Sequence, residues 1–192
     1  MDRFARAKLA FDQLNGRDPV RERQGGVDMA RLVVQADRLS HWIERLDPNA
    51  SEALRLAARC QHIERWTIPR EEFPPGRVGY LQWRTKLSRF HADRAESVLR
   101  GAGYDDDVVQ AVRRIVTKQN LHSSPDSQTM EDALCLVFLE FEFDAFIQKH
   151  PDEEKAVEIL QKTWKKMSLR GRKAALGLEL SERARKLVAA AV

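Results

Sequence analysis

Residues 51–66 of the chain read SEALRLAARCQHIERW, and the apolar side chains in this stretch recur at helical spacing. Leu54, Ala58, His62 and Trp66 are each four positions apart, which places them on one face of an α-helix. The same 3.6-residue periodicity runs through nearly all of the chain, and strand signals are almost absent. The sequence therefore predicts an all-α fold.

Helix-breaking and capping residues set the predicted element boundaries. Loops are expected at residues 15–26, 69–76 and 122–128. The predicted helices cover residues 2–14, 28–46, 78–99, 130–149 and 152–167. A further helix is expected from the DPNAS stretch (47–51) to the residue before Pro69, another begins at Asp105–Asp107, and a small helical tail ends the chain. With 192 residues and no internal repeat or low-complexity linker, the chain is expected to form a single-domain helical bundle over residues 1–192.

The composition is typical of a protein rich in amphipathic helices, with 43% hydrophobic residues, 32% charged residues and a net charge of +4. No apolar run approaches the ~20 residues that span a bilayer, and residues 1–14 lack the pattern of a signal peptide. Cys60 and Cys135 lie within apolar helical patterns and are expected to be reduced core thiols. We therefore expect a cytoplasmic protein without a membrane segment.

Three polar residues, His62, His91 and Asp132, occupy positions on the buried faces of their predicted helices. Imidazole and carboxylate groups that converge inside a helical bundle can form a catalytic or metal site. The alternative is that each is a satisfied polar residue of the core, with the imidazoles bonded to carbonyl groups and Asp132 capping the end of a neighbouring helix. The sequence leaves both interpretations open.

Arginine and tryptophan are concentrated around the two histidines. Guanidinium groups match phosphate oxygens in pairs of hydrogen bonds, and indole rings stack on bases. The irregular loop IPREEFPPGR (68–77) joins the two histidine-bearing helices and is expected to put Arg70 beside His62. The alternative is a solvated basic face over two core tryptophans. The candidate ligand-binding residues are Gln61, Arg65, Arg70, Trp83, Arg84 and Lys118, with Trp66 and Arg89 nearby.

Residues 54–140 resemble the HD superfamily of metal-dependent phosphohydrolases, which are all-α enzymes named for an adjacent His-Asp ligand pair. The segments that carry the resemblance are LAARCQHIERW (56–66), FHADRAESVLRGAGYDDDVVQAVRRIV (90–116) and MEDALCLVFLE (130–140). The resemblance implies an HD-like core at about residues 28–150, with a helical C-terminal extension at 151–192. It also implies a divalent metal (Mn, Fe, Zn or Mg) held by His62, His91 and Asp132.

The chain departs from the HD pattern where that family has its His-Asp pair, because this sequence reads Gln61-His62. It is also similar over nearly its whole length to a family of uncharacterised bacterial and fungal proteins classed as a domain of unknown function. That similarity rests on RCQHIERWTIPR (59–70), YLQWR (80–84), FHA (90–92), GYD (103–105), EDALCLVFLE (131–140) and KTWKKMS (162–168). It implies family membership and no particular reaction.

Two functional hypotheses follow, and they use the same surface. In the first, the protein is a hydrolase of a phosphorylated small molecule or nucleotide. His62 and His91 bind a metal or act as general acid and base, and Asp132 is a ligand or orients one. In the second, the Gln61-His62 departure leaves a non-catalytic module that binds a nucleotide, RNA or another protein. A scaffold role in a larger assembly, through the basic segment 162–173, is a third possibility, and the oligomeric state is left open.

Overall fold

Ten α-helices and one short β-hairpin form the computed structural model, which describes residues 1–119, 121 and 123–192. Helices account for 73% of it, so the predicted all-α class is confirmed. The elements are α1 (Arg3–Asn15), β1 (Arg21–Gln24), β2 (Val27–Ala30), α2 (Arg31–Leu46), α3 (Glu52–Cys60), α4 (Gly76–Gly101), α5 (Asp106–Val116), α6 (Pro125–Val137), α7 (Phe143–Lys149), α8 (Glu153–Lys166), α9 (Leu169–Leu176) and α10 (Glu182–Ala191).

Side-chain caps fix where most of these helices begin. In each case an Asp or Ser side chain accepts a hydrogen bond from a backbone N–H of the first turn, which satisfies a group that has no partner within the helix. The capping residues are Asp2, Ser51, Asp105, Ser124, Asp152, Ser168 and Ser181. Asp105 opens α5 where the acidic run predicts a helix start.

One hydrophobic cluster joins the helices from α1 to α10. The helix α2 packs on α3 and α6, α3 also packs on α1 and α5, and α4 packs on α5. Phe11, Trp42 and Phe143 are among the largest fully buried side chains. Val188 near the C-terminus belongs to the same cluster, so the C-terminal helices share the core. None of the helices in the described part of the chain is long and apolar enough to cross a membrane.

The hairpin β1–β2 lies in a region where the sequence predicts a loop and the start of α2. Its strands pair antiparallel from Arg21 with Ala30 to Gln24 with Val27. Gly25 and Gly26 form the turn with φ of 57° and 85°, which is the left-handed backbone that a two-residue hairpin turn requires. The strand residues are mostly exposed and polar, so they lack the hydrophobic alternation by which strands are recognised.

The helix α3 ends at Cys60, so the prediction that it continues towards Pro69 is wrong. Residues 61–64 form a turn, in which Glu64 has a left-handed φ of 50°, and a 3-10 turn, Arg65–Thr67, follows. A tertiary contact explains the break, because the carbonyl of Ile63 lies 2.7 Å from Nδ1 of His91 on α4. His62 therefore lies on a turn and not on a helix.

The segment predicted as one helix from Met130 to Lys149 begins earlier and changes its winding. Ser124 caps α6 and Pro125 occupies its first turn, a position that suits proline. Between α6 and α7, residues Phe138–Glu142 form a π-helical segment, so the rod from residue 125 to residue 149 is continuous but not uniform. Asn120 and His122, the second of which falls in the predicted loop 122–128, lie outside the described residues.

Candidate functional site

His62 and His91 lie side by side, with ring centroids 6.3 Å apart and ring planes at 79°. His91 is only 3% exposed, and its Nδ1 contacts the carbonyl oxygen of Ile63 at 2.7 Å. Because a carbonyl can only accept, Nδ1 must carry the hydrogen, and Nε2 then holds the lone pair of the neutral ring. The turn after α3 and the middle of α4 thus bring together the two histidines that the sequence predicts as neighbours.

Three buried polar atoms in this place have no hydrogen-bond partner among the described residues: Nδ1 of His62, Nε2 of His91 and Oε1 of Gln61. Buried polar atoms almost always have a partner, and an unsatisfied one costs about 1–3 kcal/mol. Gln61 and His91 are 6% and 3% exposed, so these atoms are enclosed by the protein. An enclosed group of such atoms can bind water or the polar atoms of a ligand.

Three adjoining cavities meet at His62 and Arg84. The first, of about 510 Å³, is bordered by α4 and α5 and has both histidines in its wall. The second, of about 440 Å³, lies towards α2 and shares His62, Arg65 and Arg84 with the first. The third, of about 190 Å³, lies towards α6 and α8. The predicted residues that line the first cavity are Gln61, His62, Arg65, Arg84, Arg89, His91 and Lys118.

Arg65 and Arg84 are close enough to repel each other electrostatically. Burial, followed by the neighbouring charge of Arg84, lowers the pKa of Arg65 to about 10. In the described part of the chain, neither guanidinium forms a salt bridge or a side-chain hydrogen bond; the Arg65 guanidinium lies 4.7 Å from the centre of the Trp83 ring. Glu142 attracts Arg65 without forming a salt bridge with it, so the two adjacent cations are not neutralised by a direct ion pair and favour the binding of an anion.

The same surroundings keep both imidazoles neutral. Burial, followed by the charge of Arg65, holds the pKa of His62 well below its ordinary value. Burial lowers the pKa of His91 to about 4, although its hydrogen bond to Ile63 acts in the opposite direction. Near neutral pH each ring can therefore accept a proton or a hydrogen bond through its unprotonated nitrogen.

We predict that His91 makes stability depend on pH between about 4 and 6.5. The unfolded chain takes up a proton at this residue near pH 6.5, whereas the folded protein does so only near pH 4. This contribution to stability is therefore complete above pH 6.5 and is lost as the pH falls towards 4. The loss is about 2 kcal/mol at pH 5. Urea unfolding should show that the free energy of unfolding falls less between pH 7 and pH 5 for His91→Asn than for the wild type. The exposed His41→Asn variant should behave like the wild type, and equal losses in all three proteins would contradict the prediction.

Asp132 does not join the histidines. It is fully buried, and its carboxylate accepts hydrogen bonds from the backbone N–H of Ser168 at 2.8 Å, from the Ser168 hydroxyl and from the Gln128 amide. Ser168 is the residue that caps α9. Asp132 thus fastens the start of α9 to α6, which corresponds to the helix-end role that the sequence leaves open as the alternative.

The residues of the predicted metal site are consequently not assembled in one place. Within residues 1–119, 121 and 123–192, no group of three or more His, Cys, Asp or Glu side chains is arranged to hold a metal ion. Among the described residues, no carboxylate joins the histidine pair in such a group, although the HD resemblance implies one. Asp93 borders the same cavity but is paired with Arg113. The described residues therefore do not fit a metal centre built from His62, His91 and Asp132.

Arg70 is also placed differently from its prediction. Its guanidinium donates to the carbonyls of Phe73 and Pro74 at 2.9 Å each and to that of Gly76 at 3.3 Å. The residue thus holds the loop before α4 in shape, and it lines none of the three cavities. Trp83 donates its indole N–H to the Ile68 carbonyl at 2.8 Å and forms part of the wall of the second cavity.

Glu131 is a residue of this region that the sequence reading misses. It is 4% exposed, lines the third cavity and forms ion pairs with Lys118 and Lys166. Lys118 has a left-handed φ of 56°, a conformation that a non-glycine residue rarely adopts. The basic segment 162–173 is the feature of the sequence that could have indicated Glu131, because its lysines can pair with a buried carboxylate.

Comparison with known proteins gives a family and no activity. A search of curated proteins found no match, and neither did a search of solved structures. The resemblance to the HD superfamily is not shown by these comparisons and stays a prediction. The model of the family described as Domain of unknown function (DUF4202) matches residues 5–188. Because this match covers nearly the whole chain, the protein belongs to the DUF4202 family.

Proposed function

We propose that the protein binds a phosphorylated small molecule in the first cavity, with the phosphate held by Arg65 and Arg84. The observation that carries the proposal is the pair of adjacent guanidinium groups, neither of which forms a salt bridge with the described residues. A phosphate monoester has the charge to offset both cations and enough oxygens to accept from both. The enclosed atoms of Gln61 and His91 lie in the same wall and add polar contacts.

A small ligand fits this site better than RNA does. The cavity volume of about 510 Å³ lies within the 300–1,000 Å³ typical of small-molecule sites. The net charge of +4 is modest for a protein that follows a nucleic-acid backbone. RNA binding remains the competing proposal, and it would weaken steeply as salt is added because counterions are released.

Arg84→Gln is the test of the binding proposal. We expect the affinity for ribose 5-phosphate and for inorganic phosphate, measured by titration calorimetry, to fall at least tenfold, because a charge-assisted hydrogen bond contributes about 1.5–3 kcal/mol. Arg114→Gln is the matched control, since Arg114 is exposed on α5 and lines none of the three cavities. Equal affinities in the wild type and Arg84→Gln would refute the proposal.

Hydrolysis of the bound phosphate ester is a second candidate function, favoured by the orientation of His91. The hydrogen bond to Ile63 directs the lone pair of Nε2 away from the backbone, as a general base requires. In such a reaction, Nε2 would take a proton from the water whose oxygen forms the new bond to phosphorus. The P–O bond to the alcohol would break, and the protonated ring would return the proton to the leaving alkoxide oxygen. Arg65 and Arg84 would stabilise the charge on the phosphoryl oxygens.

His91→Asn separates hydrolysis from binding. If the protein is a hydrolase, we expect phosphate release to fall by about 100-fold or more, while calorimetry still detects the bound ester. The asparagine amide can still donate to the Ile63 carbonyl. Binding without phosphate release in the wild type, over a panel of phosphate esters, would leave the first proposal standing and exclude the second.

We also propose that the protein acts in the cytoplasm. Cys60 and Cys135 are both free and both buried. Two unpaired core thiols are typical of proteins in a reducing compartment. Detection of the protein by fractionation of its native cells would test this location.

A further inference from the structure

The second cavity differs in chemistry from the first, although the two share His62, Arg65 and Arg84. Its wall also contains Trp66, Trp83, Ile68 and Pro69, together with the polar or charged side chains Asp18, Arg31, Gln35 and Glu142. The combined space thus has a cationic lobe and a lobe with aromatic walls and charged groups of both signs. It suits a ligand with an anionic group at one end and a planar, hydrogen-bonding group at the other.

Trp66 offers the aromatic lobe a surface for stacking. Its indole has no hydrogen bond and no ring contact with the described residues, and the side chain is only partly buried. Trp83, by contrast, is fixed by its hydrogen bond to Ile68 and by the guanidinium of Arg65 over its ring. A free indole face beside a rigid aromatic wall suits a planar ring, because stacking on aromatic side chains does not depend on a particular substituent.

Glu142 supplies the polar end of this lobe. One carboxylate oxygen accepts from the Gln35 amide at 3.1 Å, and the other accepts no hydrogen bond in the described part of the chain, although the charge of Glu142 attracts Arg65. Asp18 also lines this lobe, but it is buried and each of its oxygens accepts from a backbone N–H, of Val20 and of Leu32. Glu142 thus has one oxygen without a hydrogen bond and a second lone pair on the other, so it can accept two donors from a ligand.

Glu142, which lines the second cavity, is the last residue of the π-helical segment. The segment Phe138–Glu142 interrupts a continuous helical rod between α6 and α7. Such segments are rare and occur often at functional sites, because the wider turn redirects side chains that an α-helix would point elsewhere. Glu140 in the same segment accepts instead from the indole of the buried Trp42 at 2.7 Å.

We propose that the ligand of this site is a guanine nucleotide, with its phosphate in the first cavity and its base in the second. This inference rests on the proposed phosphate binding and adds the identity of the organic group. Guanine presents two neighbouring N–H donors on its Watson–Crick edge, and a carboxylate accepts two such donors at once. Adenine presents an acceptor beside its single amino group and lacks that pair. Glu142 is the specificity-determining residue, and Trp66 stacks on the base.

The experiment is a calorimetric comparison of GMP, AMP and ribose 5-phosphate with the full chain. We expect GMP to bind at least about tenfold more tightly than either of the others, since a bidentate contact to a base edge gives discrimination of that order. In Glu142→Gln, the affinity for GMP should fall about tenfold, while the affinity for ribose 5-phosphate should not fall, because the substitution removes a negative charge near Arg65. Glu179→Gln, which changes an exposed carboxylate that lines neither cavity, is the matched control.

The outcomes separate this inference from the proposed function. If ribose 5-phosphate binds as tightly as GMP and Arg84→Gln weakens both, the phosphate site stands and the guanine inference is wrong. If GMP and AMP bind alike and Glu142→Gln changes neither, the base is not read by Glu142 and the inference is equally wrong. If none of the three ligands binds, both proposals fail. Trp66→Ala should lower the affinity for GMP at least about fivefold and leave the affinity for ribose 5-phosphate unchanged.

Discussion

Gly171→Ala is expected to lower the free energy of unfolding by about 2–3 kcal/mol, although alanine is the better helix former by about 1 kcal/mol. A Cβ atom at this position of α9 would lie 2.6 Å from Cγ and Oδ1 of Asp132 and 2.9 Å from its Oδ2. The carboxylate is fully buried and tied to Ser168, so it cannot move aside without losing those bonds. Either α9 must shift away from α6 or the hydrogen bonds must break.

Gly101→Ala is the matched control for that result. Gly101 is the last residue of α4, and a Cβ there would meet nothing within 4 Å. We expect this variant to keep or slightly raise stability, by at most about 1 kcal/mol. Urea unfolding followed by circular dichroism measures both. If the two alanine variants were equally stable, the close approach of α9 to Asp132 would not exist in solution.

Asp132→Ala is expected to have the largest effect, a loss of about 3–4 kcal/mol in the free energy of unfolding. The substitution leaves the backbone N–H and hydroxyl of Ser168 without their acceptor and also removes the bond from Gln128. Hydrogen bonds to charged groups contribute about 1.5–3 kcal/mol each, and buried donors left without a partner add to the cost. Ser181→Ala, which removes the cap of α10 at a more exposed site, should cost only about 1 kcal/mol.

Ligand binding decides between the structural and catalytic interpretations of Asp132. At a temperature where the variant is folded, we expect Asp132→Ala to bind ribose 5-phosphate as the wild type does. A variant of wild-type stability that no longer binds would instead place Asp132 in the ligand site. The double variant Asp132→Ala with Gly171→Ala should lose less stability than the sum of the two single losses, because the smaller side chain removes the overlap.

The sequence predicts the helical class and several helix ends well, because those depend on local chemistry. The Asp105 cap and the burial of the free thiols Cys60 and Cys135 are examples in which a short stretch of sequence is enough for the prediction. The β-hairpin and the end of α3 depend on features that local sequence patterns do not show. The hairpin strands are too polar to show alternation, and α3 stops where the Ile63 carbonyl contacts His91, a residue 28 positions away.

In the site too, the sequence predicts which side chains are buried but not which groups they contact. Periodicity correctly indicates that His91 and Asp132 are buried, but burial does not say which group a side chain contacts. Asp132 contacts a helix end, whereas the adjacent Glu131, one position before it on α6, borders a cavity. Likewise, nothing local distinguishes Arg70, whose guanidinium is occupied by loop carbonyls, from Arg84, which lines all three cavities.

The π-helical segment makes the number of residues between α6 and α7 as important as their identity. A single π turn accommodates one residue more than regular winding, so removing one residue from Phe138–Glu142 would let the segment rewind as an α-helix. Phe143 and Ile147 would then keep their places in the core, whereas the side chains of the segment itself, Glu142 included, would change direction. Single-residue deletions here should therefore change the site more than the fold, and chain length at this point is a constraint on the site.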